Sequence, residues 1–285
     1  MDREKLVQKI IRFPLIVHKM TNDLLLGDFR SIFRGHGIEV DEVRLYESGD
    51  DVRAIDWNVS ARFGTPYLKI YREERDQTVF IILDCSSSMN AGGLVRAYDQ
   101  AVLVLALMAF SAEYAGQPVG ALFFNQKITT VFPSRKGSSH TMMIINAALQ
   151  ASLEGNNSNL SDALTGAGRL LKRRSFVVVI SDFQSLGWER SMDILCRHHE
   201  VVAVRINASE NLSGAGLVSV TDPETGATVF MPTRHEGFRG FWQLRHKEQQ
   251  DKWQARCRQA GAVPLSISTA DNVVECLVKF FKHRS

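Results

Sequence analysis

The stretch Val79-Phe80-Ile81-Ile82-Leu83-Asp84-Cys85-Ser86-Ser87-Ser88 governs the reading of everything around it. Its first five residues are apolar without a break, and three of them are β-branched. A strand with one wet face alternates apolar and polar residues, whereas a strand with none reads as a continuous apolar run. The run stops at a carboxylate and gives way to hydroxyls, residue types that make turns and cap helices. Residues 79–83 are therefore expected to form a strand buried on both faces that closes in a polar turn.

The alternation continues downstream. Residues 94–114 predict a long, very apolar helix, and 119–124 and 128–132 predict two short strands split by Asn125-Gln126-Lys127. Helices over 139–153 and 160–171, a buried strand at 176–180, a helix around 188–197 and a strand at 201–206 follow. Within 207–233 the rhythm breaks, and Asp222-Pro223-Glu224-Thr225-Gly226 marks a hairpin turn. A helix over 238–260, a strand at 263–267 and a helix over 273–282 complete the pattern. Buried strands alternating with helices predict an α/β fold, a mostly parallel sheet flanked by helices on both faces. Residues 33–77 differ, being rich in charge and strand formers with turns at Gly35-His36-Gly37 and Ser48-Gly49-Asp50-Asp51. They read as a small β-rich attachment. Residues 1–32 read as a helical segment whose Leu6, Ile10, Phe13 and Val17 share one stripe, suited to packing on the body of the protein. The organisation expected is thus 1–32, 33–77 and 78–285, with a hairpin insertion at about 207–233.

Composition narrows the function classes. With 45% hydrophobic and 23% charged residues the chain is globular in character, not disordered. Its 34 basic and 31 acidic residues leave a net charge of +3, too even a balance for a nucleic-acid surface. Lys172-Arg173-Arg174 and Lys282-His283-Arg284 fall where helices end, and cations favour the negative end of a helix dipole. The longest apolar run, 101–110, is about half of the ~20 residues a membrane span requires. The mixture of Asp2, Arg3, Glu4, Lys5 and Lys9 does not make a signal peptide. Cys85, Cys196, Cys257 and Cys276 are widely spaced without a Cys-x-x-Cys pair, which fits reduced thiols better than a disulfide framework or a zinc site. A cytoplasmic protein is expected, with peripheral attachment to the inner membrane as the other option.

Chemistry concentrates at the strand ends. Asp84-x-Ser86-x-Ser88 places a short carboxylate and two hydroxyls at alternating positions beyond the first buried strand. In an open α/β sheet, ligands bind in the crevice beyond the carboxyl ends of the strands. Ser181-Asp182 brings a second carboxylate to the end of another buried strand, and Ser158 offers a hydroxyl just before a helix. Few carboxylates, several neutral oxygens and retained water are what Mg²⁺ asks for; Mn²⁺ suits the same donors.

Asp84, Ser86, Ser88, Ser158 and Asp182 resemble the metal-ion-dependent adhesion site of von Willebrand factor A (vWA) domains. More narrowly, the run from Arg44 through Gly49-Asp50-Asp51-Val52-Arg53-Ala54-Ile55-Asp56-Trp57-Asn58 to Arg62 is similar to the signature of the bacterial "domain of unknown function 58" family. Lys69-x-Tyr71-x-Glu73-Glu74-Arg75-Asp76, Asp162-Ala163-Leu164, Ser181-Asp182-Phe183 and the hairpin at Asp222 extend the resemblance over roughly 33–284. It implies a vWA-like fold, a Mg²⁺-dependent grip on protein partners, and work beside a MoxR-type AAA+ ATPase in maturation of client proteins. Two departures stand out: Ser158 occupies a position where threonine is usual, with Ser161 as a possible substitute, and residues 1–32 hold no span where many relatives carry two.

Asp50, Asp51, Arg53, Asp56, Trp57 and Arg62 allow two readings. They could face a partner, or they could form an internal turn and ion-pair network with Trp57 as core packing; interleaving with Val52 and Ile55 favours the second. Three rival functions remain. A hydrolase using Asp84 as nucleophile lacks a second acid two residues on, where Ser86 stands. Cys85 has no phosphatase-like loop and reads as a small buried residue. A metal-independent scaffold would bind partners through the β-rich attachment.

Overall fold

The computed structural model describes residues 3–11, 13, 40–47, 50–71, 77–92, 95–153, 158–208, 218–221, 228–231 and 236–282. After helix α1 (Arg3–Ile11), strands β1 (Val40–Leu45) and β2 (Tyr67–Tyr71) pair antiparallel. Between them lie a 3-10 turn (Val52–Ala54) and helix α2 (Trp57–Phe63). The main sheet and its helices follow: β3 (Val79–Asp84), α3 (Ala97–Tyr114), β4 (Val119–Phe124), β5 (Ile128–Arg135), α4 (Ser138–Gln150), α5 (Leu160–Leu170), β6 (Phe176–Ser181), α6 (Glu189–His198) and β7 (Glu200–Asn207). The hairpin β8 (Val218–Thr221) and β9 (Thr228–Met231), then α7 (Glu236–Gln259), β10 (Val263–Ser268) and α8 (Val273–Lys282), complete the chain. The β8–β9 pairing fits the hairpin expected there; its turn lies outside the described residues.

The main sheet has the order β10-β7-β6-β3-β4-β5, parallel throughout except for β5, which runs antiparallel at one edge. On β3 the side chains alternate between two cores. Val79, Ile81 and Leu83 pack with α1, α3, α4 and α8, through Leu6, Leu105, Ile144 and Leu277 among others. Phe80 and Ile82 pack with α5, α6 and α7, through Leu164, Met192 and Trp253. With both faces covered, no position on the strand can be polar until Asp84. Helix α3 is buried from Ala97 through Ala112, as a helix apolar on all sides must be. Its one long polar side chain in that span, Gln100, donates to the carbonyls of Thr269 and Asp271 at 2.9 and 3.0 Å, pinning the loop after β10. Among the described residues no helix is long and apolar enough to cross a membrane.

The chain moves from β3 outward to β4 and β5, then returns to the other side of β3 for β6, β7 and β10. The order therefore reverses between β3 and β6, which opens a crevice at their carboxyl ends. Asp84 ends β3, and Ser181 ends β6.

Within 33–77 the two strands are joined by a helix, α2, and one expectation for the segment needs correction. Asp56 caps that helix by accepting from Asn58 N and Val59 N at 3.0 and 3.3 Å, and Gly64 ends it with φ +69°, a left-handed conformation that glycine adopts at no steric cost. The correction concerns Trp57, which is not core packing: it is 68% exposed, and Phe63 is 67% exposed. Among the described residues of the segment the buried positions include Asp56 at the cap of α2, Ser60 within it, and Leu68 on β2. The Ser60 hydroxyl accepts from Tyr67 N at 2.8 Å and ties α2 to β2. Asp56→Ala is therefore expected to destabilise this segment by about 1 kcal/mol, and Trp57→Ala by less than about 0.5 kcal/mol. Urea denaturation followed by far-ultraviolet circular dichroism separates the two.

Candidate metal centre at the sheet's carboxyl edge

Asp84 is fully buried and is the hub of the crevice. Its Oδ1 accepts from Ser86 N at 2.9 Å, folding the chain into a turn. Its Oδ2 accepts from two hydroxyls, Ser158 at 2.9 Å and Ser181 at 2.7 Å. Ser86 and Ser88, both buried, bring their hydroxyl oxygens within 3.1 Å of each other. Asp182 is also buried; its Oδ1 accepts from Gln184 N at 3.0 Å, while its Oδ2 is a buried oxygen without a hydrogen-bond partner.

The five residues expected from the sequence thus converge from three separate loops. Ser161 does not: its hydroxyl lies 2.8 Å from that of Ser191, between α5 and α6. The acids of the attachment serve local roles. Asp50 pairs with Arg44 at 2.6 Å and accepts from Glu47 N at 2.9 Å; Asp51 accepts from Arg53 N at 3.0 Å. Arg53, Trp57 and Arg62 are exposed.

Two residues of the site were not singled out by sequence reasoning. Ser181 bridges the strands, donating to Asp84 and accepting from Phe183 N at 3.0 Å. Arg205 stands beside Ser181 in the β6–β7 register, its guanidinium 5.6 Å from the Trp253 ring and its Nε buried without a partner. Phe183 has φ +54°, a conformation uncommon for a bulky side chain and a sign of local strain beside a site. Its ring is held by Trp188 and Trp253, each at 5.3 Å, and so fixes the turn that carries Asp182.

Electrostatics follow from burial. Desolvation and then the Asp182 charge push the Asp84 carboxyl up to about 6. Desolvation also raises Asp182, against the Ser88 hydroxyl, the Gln184 amide and the Arg205 charge. Two carboxylates buried together are costly unless something positive joins them. Cys85, by contrast, is a buried thiol pushed up to about 12 by desolvation, which removes it as a thiolate nucleophile at neutral pH.

The donor set fits a hard cation. It is all oxygen, it has two carboxylates, and one carboxylate oxygen has no partner. Among the described residues no group of three or more His, Cys, Asp or Glu gathers, so the candidate rests on two carboxylates with hydroxyls.

This sheet order, with a hydroxyl-and-carboxylate crevice at its reversal, defines a vWA-like α/β fold. Residues 42–252 match the family described as "Protein of unknown function DUF58", and the chain belongs to that family. It is 31% identical over 231 residues to the uncharacterized protein Mb1516 of Mycobacterium bovis, covering 79% of this chain and 73% of that one. Its fold is similar to that of the conserved hypothetical protein BatB from Bacteroides thetaiotaomicron, with TM-score 0.50 and 13% identity over 73% of this chain and 98% of that one. An aerotolerance-related membrane protein from Bacteroides fragilis gives TM-score 0.50 and 16% identity over 73% of this chain and 97% of that one.

Proposed function

We propose that this chain is a metal-dependent protein-binding module and not an enzyme. Asp84, Ser86, Ser88, Ser158 and Asp182 would hold Mg²⁺ or Mn²⁺, and an Asp or Glu of a partner would complete the coordination. The observation that carries this reading is the pair of buried carboxylates at the β3–β6 reversal, one of them with an unpartnered oxygen. The bound ion supplies a Lewis-acidic position for an incoming carboxylate.

The chain's own residues set the charge. Asp84 and Asp182 carry two negative charges, which counted alone would just neutralise a divalent ion. Arg205 acts on Asp182 and alters that count. With the ion in place the site carries a net positive charge, which favours one further carboxylate. Ser158 and Ser181 orient Asp84, while Phe183 orients Asp182. In the cell we place this module in the cytoplasm as an adaptor beside a MoxR-type AAA+ ATPase, in maturation or remodelling of client proteins.

Capture of partners from a bacterial lysate in Mg²⁺ and in EDTA tests the reading. The expected result is an AAA+ ATPase or client retained in Mg²⁺ and lost in EDTA. Retention in both conditions would move recognition elsewhere. One observation favours a second reading, a metal-independent scaffold: Val52, Trp57 and Pro66 line an open groove of about 600 Å³ on the attachment, with Trp57 largely exposed. Loss of captured partners in Trp57→Ala, with EDTA without effect, would select that scaffold.

A further inference from the structure

A second groove lies between α5 and α6, with a volume of about 430 Å³. It sits at the opposite edge of the sheet from Asp84. Helix α5 ends at Leu170 before β6 begins at Phe176, and α6 ends at His198 before β7 begins at Glu200. The groove is therefore at the amino ends of the parallel strands. At about 3.3 Å per residue the six-residue strand β6 separates the two edges by roughly 20 Å.

Arg169, Lys172, Arg173 and Arg174 line the groove, and no acidic side chain does. None of the four makes an ion pair among the described residues. A helix C-terminus carries about half a negative charge, so the end of α5 offsets only a small part of four cations. Between the cations the accessible apolar surface is that of Ile194, 53% exposed, and the half-buried Leu171, seated on the buried Leu164 and Leu195. His199 lines it as well, 6% exposed and with Nδ1 lacking a hydrogen-bond partner. That is unsatisfied polar capacity in a place where native proteins rarely leave any.

We infer that this groove docks an acidic amphipathic segment of a protein partner, its apolar face on Ile194 and Leu171 and its carboxylates on the cations around them. Charge complementarity selects the occupant. A helix laid into a groove between two helices buries an apolar stripe and leaves its charged flanks to the rim. A nucleobase stacks best on a Phe, Tyr or Trp ring, and the groove lining has none of these. The site is independent of the metal and lies on the far edge, so one chain can hold two partners at once.

The test uses the full chain and a fluorescently labelled helical peptide of about 14 residues, with Leu on one face and Glu on the other. Anisotropy should report binding that EDTA does not change. Lys172→Glu with Arg173→Glu, and separately Ile194→Asp, should each weaken it by about tenfold or more. Replacing the peptide's Glu by Gln should do the same. Binding unchanged in both variants, or equal for the Gln peptide, would overturn the proposal. So would displacement by tripolyphosphate with Ile194→Asp silent, which would mark a small-anion site instead.

Discussion

Asp84→Asn is expected to erase the stabilisation that Mg²⁺ gives the wild-type chain while leaving the metal-free fold intact. A ligand that binds only the folded state stabilises by about 1.4 kcal/mol at tenfold above its dissociation constant and about 2.7 kcal/mol at a hundredfold. With the hub carboxylate neutral, that increment should fall to nothing. The metal-free fold should survive because burial and the neighbouring Asp182 already act against the Asp84 charge. An amide oxygen in place of Oδ1 still accepts from Ser86 N, and the amide nitrogen then meets hydroxyls of Ser158 and Ser181 that can rotate to accept. Calorimetric melting of both proteins in Mg²⁺ and in EDTA decides the matter. An undiminished Mg²⁺ shift in the variant would place any cation site elsewhere.

The Mg²⁺ increment should also shrink steeply on acidification, because the ion competes with a proton for Asp84. The carboxyl stands at about 6 in the metal-free protein, raised by burial. One unit below that value only about a tenth is ionised, so the apparent affinity should drop about tenfold between pH 7 and pH 5 and decline little from pH 8 to pH 7. The metal-free protein should respond in the opposite sense. Its folded-state carboxyl binds a proton more tightly than the unfolded chain, whose value is near 3.8. The contribution of this group to stability is then full below the unfolded value and lost as pH rises through about 6. Melting curves with EDTA and with Mg²⁺ should accordingly stand furthest apart above pH 7 and draw together as the pH falls to 5. A constant increment from pH 5 to pH 8 would rule out Asp84 as the titrating ligand.

Much of this architecture was legible because the parallel strands are dry on both faces. Runs such as 79–83 and 176–180 cannot be mistaken for half-wet strands, and helices between them force a layered sheet. The site was legible for a related reason: in strands that cannot afford polarity, Asp84 and Asp182 mark the ends. The rest of the site depends on pairing across strands. Ser181 reaches Asp84 only because β6 lies next to β3, a neighbour relation that no local pattern states. Arg205 did leave a trace, as a lone cation within Val-Val-Ala-Val-Arg-Ile. Helix α2 is marked in the sequence only by its two caps, Asp56 before it and Gly64 after it. The interleaving of charges with Val52, Ile55 and Trp57 suggests an inward-facing side, but the fold leaves Val52 and Trp57 exposed.

Because Asp84 and Ser181 cap two neighbouring central strands, the floor of the crevice and its walls should differ in how they open. Amides of Leu83 and Ile180, paired inside the sheet, are expected to exchange with solvent hydrogen only when the whole domain unfolds. The turn at Ser86–Ser88 and the segment after Asp182 are built on short-range bonds, and can exchange through small local openings. Joining wall to floor would bring the slow exchange of the sheet out to those loops, so the occupied crevice would register as a gain in protection of its own walls.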